Sequence, residues 1–177
     1  YNESTKQIQL PLAMMGHLQT NENNNISIQK DTLTTDILNS INDFNKIEKV
    51  TPPSSLILEL RNYQQDGLNW LAFLNKYNFG GILADDMGLG KTAQIISLLL
   101  HKKKLNGISL NLIVAPKSLL FNWEAEVKKF TQDLKIIKYY GTDRIESLKF
   151  KDADIILTTY GTLRNDGEIF SQIKFDG

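Results

Sequence analysis

The sequence has no cysteine and only two histidines among its 177 residues. The lack of cysteine excludes disulfide bonds and thiolate metal sites in this chain, and it fits a reducing compartment. No apolar run approaches the length that spans a bilayer. Twenty basic side chains balance twenty acidic ones, so the net charge by itself argues against a nucleic-acid partner. Hydrophobic residues form 41% of the chain, enough for a sizeable core.

The charges are unevenly distributed along the chain. Residues 1–60 carry 4 basic and 7 acidic side chains, whereas residues 61–177 carry 16 and 13. A basic excess of this size permits nucleic-acid binding without establishing it. Residues 1–50 are rich in asparagine, threonine, serine and glutamine, and we interpret them as an accessory segment. The TPPSS sequence at residues 51–55 predicts a linker, with the main domain at 56–177. Because the sequence opens at Tyr1, we expect the natural N-terminus to lie upstream.

The stretch GGILADDMGLGKT, at residues 80–92, predicts a phosphate-binding loop. We expect a buried strand at residues 81–84, then a glycine loop, then a helix whose N-terminus faces the phosphate. Gly88 and Gly90 can take positive φ, and Lys91 can reach the β- and γ-phosphates. The Thr92 hydroxyl can bind Mg²⁺. Asp85 stands where the strict pattern has glycine, so an ordinary strand–helix turn is the alternative interpretation.

The order of predicted elements indicates an α/β fold. Apolar runs predict strands at residues 110–115, 134–140 and 153–159, in addition to residues 81–84. Helices are predicted between them, one at residues 119–130 capped by Ser118 and a short one at 143–150. This alternation predicts a parallel sheet with helices on both faces. Ligands bind such sheets at the carboxyl ends of the strands, where the glycine loop, residues 116–118 and residues 158–160 all fall.

A further amphipathic helix is predicted over residues 60–77, LRNYQQDGLNWLAFLNKY. Arg61 and Gln64 lie three residues apart and therefore share a face of this helix. A glutamine amide can pair with the adenine edge, and an arginine can stack on the ring. A solvated polar face on a core helix is the alternative interpretation.

Taken together, these motifs resemble the SWI/SNF-type ATPases, the DNA-translocating branch of the superfamily-two helicases. LRNYQQDGLNWL is similar to the family's adenine-side helix, and ADDMGLGKT is similar to its motif I, in which an acidic pair is usual. LIVAPKSLLFNWEAE resembles motif Ia, and IILTTYGTL resembles motif Ib. The resemblance covers about residues 56–177 and implies the first RecA-like lobe. Bacterial members are the most similar, and the location would be the cytoplasm in a bacterium or the nucleus in a eukaryote.

The resemblance implies ATP with Mg²⁺ as cofactors and double-stranded DNA as partner, bound through its phosphate backbone. The expected nucleotide-binding residues are Arg61, Gln64, Asp85, Asp86, Met87, Gly88, Leu89, Gly90, Lys91 and Thr92. Lys91 and Thr92 would also serve catalysis, and Thr92 would bind Mg²⁺. The expected DNA-binding residues, from motifs Ia and Ib, are Lys117, Ser118, Asn122, Thr158, Thr159 and Tyr160.

Two parts that the family uses for hydrolysis are not in the sequence. The family has an Asp-Glu-Ala-His type motif shortly after the position of Gly177, and a second RecA-like lobe that supplies arginines. We therefore expect a first lobe that is truncated before that motif and that by itself is inactive or hydrolyses ATP poorly. Its partners would be DNA, the second lobe of the same polypeptide and a protein target on DNA. The alternatives are a nucleotide-binding protein without a DNA role and a non-catalytic interaction module.

Overall fold

A computed structural model of the chain describes residues 47–107, 109–142, 144 and 150–177. Its backbone divides into two compact units, one that includes residues 47–48 and Phe73–Gly80, and one made of Lys49–Ala72 and Gly81–Gly177. The accessory segment predicted at residues 1–50 lies almost entirely outside the described residues. The predicted linker at residues 51–55 belongs to the second unit, where Pro53 is buried.

In the first unit, three aromatic rings pack together. The ring centroid of Phe73 lies 5.0 Å from that of Tyr77 and 6.5 Å from that of Phe79. Lys76 Nζ lies 3.1 Å from Glu48 Oε2, an exposed ion pair that contributes little to stability. Aromatic packing therefore contributes more to this unit than its exposed ion pair does.

Between residues 111 and 158 strands alternate with helical segments, as the sequence predicts. The helices form where apolar residues recur at helical spacing, and the strands form at the short runs of β-branched and aliphatic residues. In chain order the elements are α1 (Asn62–Lys76, whose last turn belongs to the first unit), α2 (Lys91–Asn106), β1 (Asn111–Val114), α3 (Lys117–Phe130), β2 (Ile136–Lys138), a 3₁₀ turn (Phe150–Asp152), β3 (Ile155–Thr158), α4 (Tyr160–Asn165) and α5 (Gly167–Ser171).

The three strands form one parallel sheet in the order β1-β3-β2. All four residues of the central strand β3 are buried, which explains why its sequence, IILT, is almost wholly apolar. Val114 pairs with Thr158, so β1 and β3 end at the same level. The segments that follow these two strands, which resemble motifs Ia and Ib, therefore leave the sheet at one edge.

Helices cover both faces of the sheet, which confirms the predicted fold class. On one face Ile155 packs with α2 and α3, through residues that include Ile96 and Val127. On the other face Ile156 packs with Tyr139 and with Phe170 of α5. Successive residues of β3 point to opposite faces because the side-chain period of a strand is two. A strand buried on both faces is the expected centre of a RecA-like sheet.

The predicted strand at residues 81–84 is wrong in this structure. These residues form no strand and pair with none among the described residues, and the side chain of Ile82 is 86% exposed. An apolar run becomes a strand only where a neighbouring strand takes up its backbone N–H and C=O groups. In the described sheet, β3 lies between β1 and β2 and leaves residues 81–84 unpaired.

Two further predictions concern the N-terminal cap of α3 and the short helix at residues 143–150. Helix α3 begins at Lys117, with Pro116 as its N-cap and no side-chain cap, so the predicted cap by Ser118 is wrong. Leu119 N donates to Pro116 O at 2.9 Å, so the backbone closes the first turn without a side chain. The short helix predicted at residues 143–150 lies largely outside the described residues.

Residues 176–177 run along the edge of β1 that faces away from β3. Asp176 N donates to Leu110 O at 2.8 Å, and Leu112 N donates to Gly177 O at 2.7 Å. Buried Lys102 supports this segment, because its ammonium donates to Asn111 Oδ1 at 2.8 Å and to Asp176 O. Burial lowers the pKa of Lys102 from its ordinary value. No described helix is long and apolar enough to cross a bilayer.

Candidate nucleotide site and nucleic-acid interface

The glycine loop between residues 85 and 90 has the backbone conformation that its sequence predicts. Gly88 has φ 85° and Gly90 has φ 80°, both in the left-handed region that favours glycine. Gly90 is the N-cap of α2, and Gln94 N donates to Gly90 O at 3.2 Å as the first bond of the helix. The backbone N–H groups of the first turn of α2, before Gln94, therefore have no intrahelical acceptor and can face an anion.

Lys91 folds back over this loop. Its ammonium donates to Asp85 O at 2.6 Å and to Asp86 O at 2.9 Å. Two carbonyl oxygens thus hold the cation at the loop, close to the free N–H groups of the first turn of α2. Phosphate oxygens are stronger acceptors for an ammonium than neutral carbonyls, so an anion in the loop would compete for the same cation.

Asp85 has a structural partner that accounts for a carboxylate at this position. Its Oδ2 accepts a hydrogen bond from Gln94 Nε2 at 2.8 Å. Gln94 lies one turn into α2 and is completely buried. The acidic residue that departs from the strict loop pattern is therefore attached to the helix that follows the loop.

Gln64, an expected adenine ligand, reaches the glycine loop from α1. It is 7% exposed, its Nε2 donates to Leu89 O at 3.1 Å and its Oε1 accepts from Arg61 N at 2.9 Å. A Cβ at Gly90 would lie 2.5 Å from Gln64 Nε2, so only glycine allows this approach. Both ends of the Gln64 amide are engaged within the protein, whereas Arg61 is exposed beside them. Adenine contact by this pair stays a prediction.

Tyr63 contacts the loop, which the sequence motifs did not indicate. Its hydroxyl donates to Leu89 O at 3.2 Å, the same oxygen that Gln64 uses. The available signal was its position in the motif, one residue before Gln64. Met87 lies at the outer side of the loop, almost fully exposed, and Thr92 is half-buried in the first turn of α2.

These residues fit the triphosphate and Mg²⁺ that the resemblance implies. Two glycines with positive φ, a helix N-terminus and one lysine ammonium converge on the same loop. A Cβ at Gly88 would meet nothing within 4 Å, so its glycine is required by the backbone conformation and not by crowding. This donor set is suited to an anion, and the Thr92 hydroxyl offers the hard oxygen that Mg²⁺ prefers.

The expected DNA-binding residues of motif Ia are presented to solvent. Lys117, Ser118 and Asn122 are exposed in the first two turns of α3, directly after β1. Tyr160, the first residue of α4 after β3, is 64% exposed. Since β1 and β3 end level with each other, these side chains belong to the same edge of the sheet. Hydroxyl, amide and ammonium groups bind phosphates without reading sequence.

The two threonines of motif Ib have other partners. Thr158 is 0% exposed, and its hydroxyl donates to Tyr139 O at 2.7 Å, which joins the end of β3 to the residue that follows β2. Its side chain therefore does not reach a DNA backbone in this conformation, contrary to our expectation. Thr159 caps α4, because its Oγ1 accepts from Thr162 N at 3.1 Å.

An ion pair beside α4 and α5 was not predicted from the sequence. Arg144 Nε donates to Asp166 Oδ2 at 2.6 Å and Arg144 Nη2 donates to Asp166 Oδ1 at 3.1 Å, a bidentate arrangement. The hydrogen bond from Arg144 lowers the pKa of Asp166, and the same bond raises the pKa of Arg144. No periodicity or motif joins two residues 22 positions apart.

Comparison with known proteins gives this geometry its context. Residues 63–176 match the SNF2-related domain family. The chain belongs to the SNF2-related domain family. This match contains the residues from Tyr63 on α1 to Asp176 at the edge of β1, which confirms the resemblance seen in the sequence.

Individual SNF2 relatives agree with this assignment. The chain is 38% identical over 150 residues to the TATA-binding protein-associated factor mot1 of Aspergillus fumigatus, covering 76% of this chain and 8% of that protein. It is 39% identical over 169 residues to Helicase SWR1 of Candida albicans, covering 89% of this chain and 10% of that protein. The chain thus spans about a tenth of the length of these relatives.

A solved structure shows the same SNF2 fold. The Sulfolobus solfataricus SWI2/SNF2 ATPase core in complex with dsDNA superposes with a TM-score of 0.67 at 40% sequence identity. The match covers 73% of this chain and 27% of that core. The predicted RecA-like lobe is therefore confirmed as a fold, whereas the roles of individual site residues and the bacterial origin stay predictions.

Proposed function

We propose that this chain is the ATP-binding lobe of a SNF2-type, DNA-dependent ATPase that moves along double-stranded DNA. The observation that carries the proposal is the glycine loop, in which two left-handed glycines precede the N-terminus of α2 and Lys91 lies across the loop. Membership of the SNF2-related domain family supports the assignment to a motor and not to another nucleotide-binding protein.

The chain's own residues would hold the nucleotide by charge and orientation. The free N–H groups at the start of α2 would bind phosphate oxygens, and the Lys91 ammonium would pass from the carbonyls of Asp85 and Asp86 to the phosphates. The Thr92 hydroxyl would bind Mg²⁺, while Arg61 and Gln64 would contact the adenine. When bound, ATP supplies the phosphoanhydride whose cleavage drives the motor.

DNA would be bound along the edge of the sheet where β1 and β3 end. Lys117, Ser118 and Asn122 would contact phosphates from α3, and Thr159 and Tyr160 would contact them from the start of α4. Because Thr158 is buried against β2, we propose that its role is to fix the end of β3. The solved core in complex with dsDNA supports duplex DNA as the partner.

Efficient hydrolysis would require groups beyond these residues. Phosphoryl transfer depends on positioned charge around the γ-phosphate. We propose that a longer polypeptide supplies the acidic pair and the second lobe with its arginines. The full protein would act on a protein bound to chromosomal DNA, in the cytoplasm of a bacterium or in the nucleus of a eukaryote. The chain by itself is then expected to bind ATP and to hydrolyse it poorly or not at all.

Titration of the chain with a fluorescent ATP analogue and Mg²⁺ tests the nucleotide site. We expect binding by the parent and its loss in Lys91→Ala. The matched control is Lys104→Ala, which removes an exposed lysine from the C-terminal end of the same helix α2 and should bind as the parent does. A folded parent that does not bind the analogue, or a Lys91→Ala variant that binds equally well, would contradict the proposal.

A further inference from the structure

The side chain of Gln94 is the most unusual polar group among the described residues. It is 0% exposed, and its Oε1 has no hydrogen-bond donor. Buried polar atoms in folded proteins are nearly always paired, so an unpaired one calls for a physical reason. That reason lies at the other end of the same amide, where Nε2 donates to Asp85 Oδ2 at 2.8 Å.

The orientation of this amide is fixed by charge. A carboxylate can only accept hydrogen bonds, so the end of Gln94 that faces Asp85 must be the NH₂ group. Oε1 is then turned toward α1, where it meets the backbone of Gly67. A Cβ at residue 67 would lie 1.7 Å from Gln94 Oε1 and 2.8 Å from Cδ, so the amide occupies the space that any other residue would fill.

The hydrogen bond between Gln94 and Asp85 connects the interior of α2 to Lys91 at the glycine loop. Gln94 holds the Asp85 side chain, and the Asp85 carbonyl accepts from Lys91 Nζ at 2.6 Å. The carboxylate and the carbonyl belong to the same residue, so a change in the side-chain bond shifts the backbone on which Lys91 rests. Gln94 is too deeply buried to touch a bound nucleotide, and its influence has to pass through Asp85.

We propose that Gln94 is a positioning residue for nucleotide binding, which sets the Asp85 end of the glycine loop and thereby the place of the Lys91 ammonium. This inference rests on the proposed nucleotide-binding function of the same loop. It also explains the glycine of the LRNYQQDGLNWL motif: Gly67 leaves room for the amide in the one orientation that serves Asp85.

The test measures the dissociation constant of the fluorescent ATP analogue with Mg²⁺ for the 177-residue chain and its variants. Gln94→Ala should weaken binding about tenfold, the loss that one hydrogen bond to a charged group accounts for. The matched control is Ser97→Ala, one turn further along α2, which is equally buried but bonds only to Ala93 O of its own helix. Ser97→Ala should bind as the parent does.

Gln94→Glu separates positioning from simple loss of packing, because it keeps the size of the side chain. When ionised, the introduced carboxylate faces Asp85 and repels it; when protonated, it donates to Asp85 as the amide did. The ratio of the variant's dissociation constant to that of the parent should therefore fall as the pH is lowered. The double variant Asp85→Asn with Gln94→Glu reverses donor and acceptor and should bind the analogue more tightly at neutral pH than Gln94→Glu alone does.

Each result of these titrations supports or overturns the positioning role of Gln94. If the parent binds but Gln94→Ala binds equally well, or if the Gln94→Glu ratio does not change with pH, the positioning role is wrong while the nucleotide site stands. If the parent itself does not bind, the proposed function fails and this inference fails with it. Should Gln94→Ala lose its helical circular dichroism, the rescue by the double variant decides alone: no recovery would overturn the proposal.

Discussion

Gln94 Oε1 and Gly67 are packed so closely that a Cβ at residue 67 would lie 1.7 Å from the oxygen. The reverse arrangement occurs nearby, where a Cβ at Gly90 would lie 2.5 Å from Gln64 Nε2. A glutamine of α1 thus fits a glycine of the loop, and a glutamine of α2 fits a glycine of α1. These two contacts bring α1 closer to the glycine loop and to α2 than residues with a Cβ atom at positions 67 and 90 would allow.

Gly67→Ala should destabilise the chain although alanine favours helices. The gain in helix propensity is about 0.5–1 kcal/mol, whereas forcing an extra atom into a packed interior costs about 1–3 kcal/mol. The buried Gln94 amide must move, so nucleotide affinity should fall as well. Thermal unfolding and analogue titration measure the two effects.

The control for this prediction is the double variant Gly67→Ala with Gln94→Ala. With the amide removed, the alanine Cβ at position 67 meets no close neighbour on α2, and the stability cost of Gly67→Ala should largely disappear. An equal cost in both backgrounds would show that the contact between residues 67 and 94 is not the cause.

Thr158→Val should lower stability and leave DNA binding unchanged. The substitution keeps the volume but removes the hydrogen bond to Tyr139 O in a site that water does not reach, at a cost of about 1–3 kcal/mol. Urea unfolding gives the stability, and titration of a fluorescent DNA duplex at low salt gives the affinity. Tyr160→Ala is the matched variant at the exposed end of the same segment and should weaken duplex binding. If Thr158→Val keeps its fold but loses most of its affinity for the duplex, the Thr158 side chain contacts DNA and this prediction is wrong.

Lys117→Ala should reduce the salt dependence of duplex binding. One phosphate contact fewer lowers the slope of log K against log salt concentration by about 1. Affinity should fall for all sequences alike, because a lysine–phosphate contact carries no sequence information. Duplex titration at several salt concentrations measures the slope, and Lys104→Ala serves as the control. An unchanged slope in Lys117→Ala would place the DNA elsewhere on the chain.

Asp166→Asn should remove part of the acid sensitivity of the fold. Arg144 holds the pKa of Asp166 below its ordinary value of 3.8, so the pair stabilises the folded state above that value. This contribution is lost as the pH falls through the lower pKa of the folded state. The parent's urea midpoint should therefore drop between pH 5 and pH 2 by more than that of Asp166→Asn, while the variant is less stable at pH 7. Parallel curves for the two proteins would contradict this account.

The local patterns of the sequence determined most of the secondary structure and the loop. Apolar runs at residues 110–115 and 153–159 became β1 and β3, because a run that is apolar on both sides is stable only when both sides are buried. Gly88 and Gly90 took the left-handed conformation because the turn into α2 requires it. The family was also visible in the order and spacing of the four motifs.

Only the tertiary structure decided which side chains contact each other and which segments remain without a pairing strand. Residues 81–84 have the composition of a strand, yet strand formation depends on a neighbour that local sequence does not specify. Thr158 and Tyr160 read alike as polar residues at the end of a strand, but Thr158 is the last residue of β3 and hydrogen-bonds to Tyr139 O inside the protein, whereas Tyr160 begins α4 and is exposed. Arg144 with Asp166, and Gln94 with Gly67, are contacts between elements distant in sequence. Their partners are set by how helices pack on the sheet, and no local pattern contains that information.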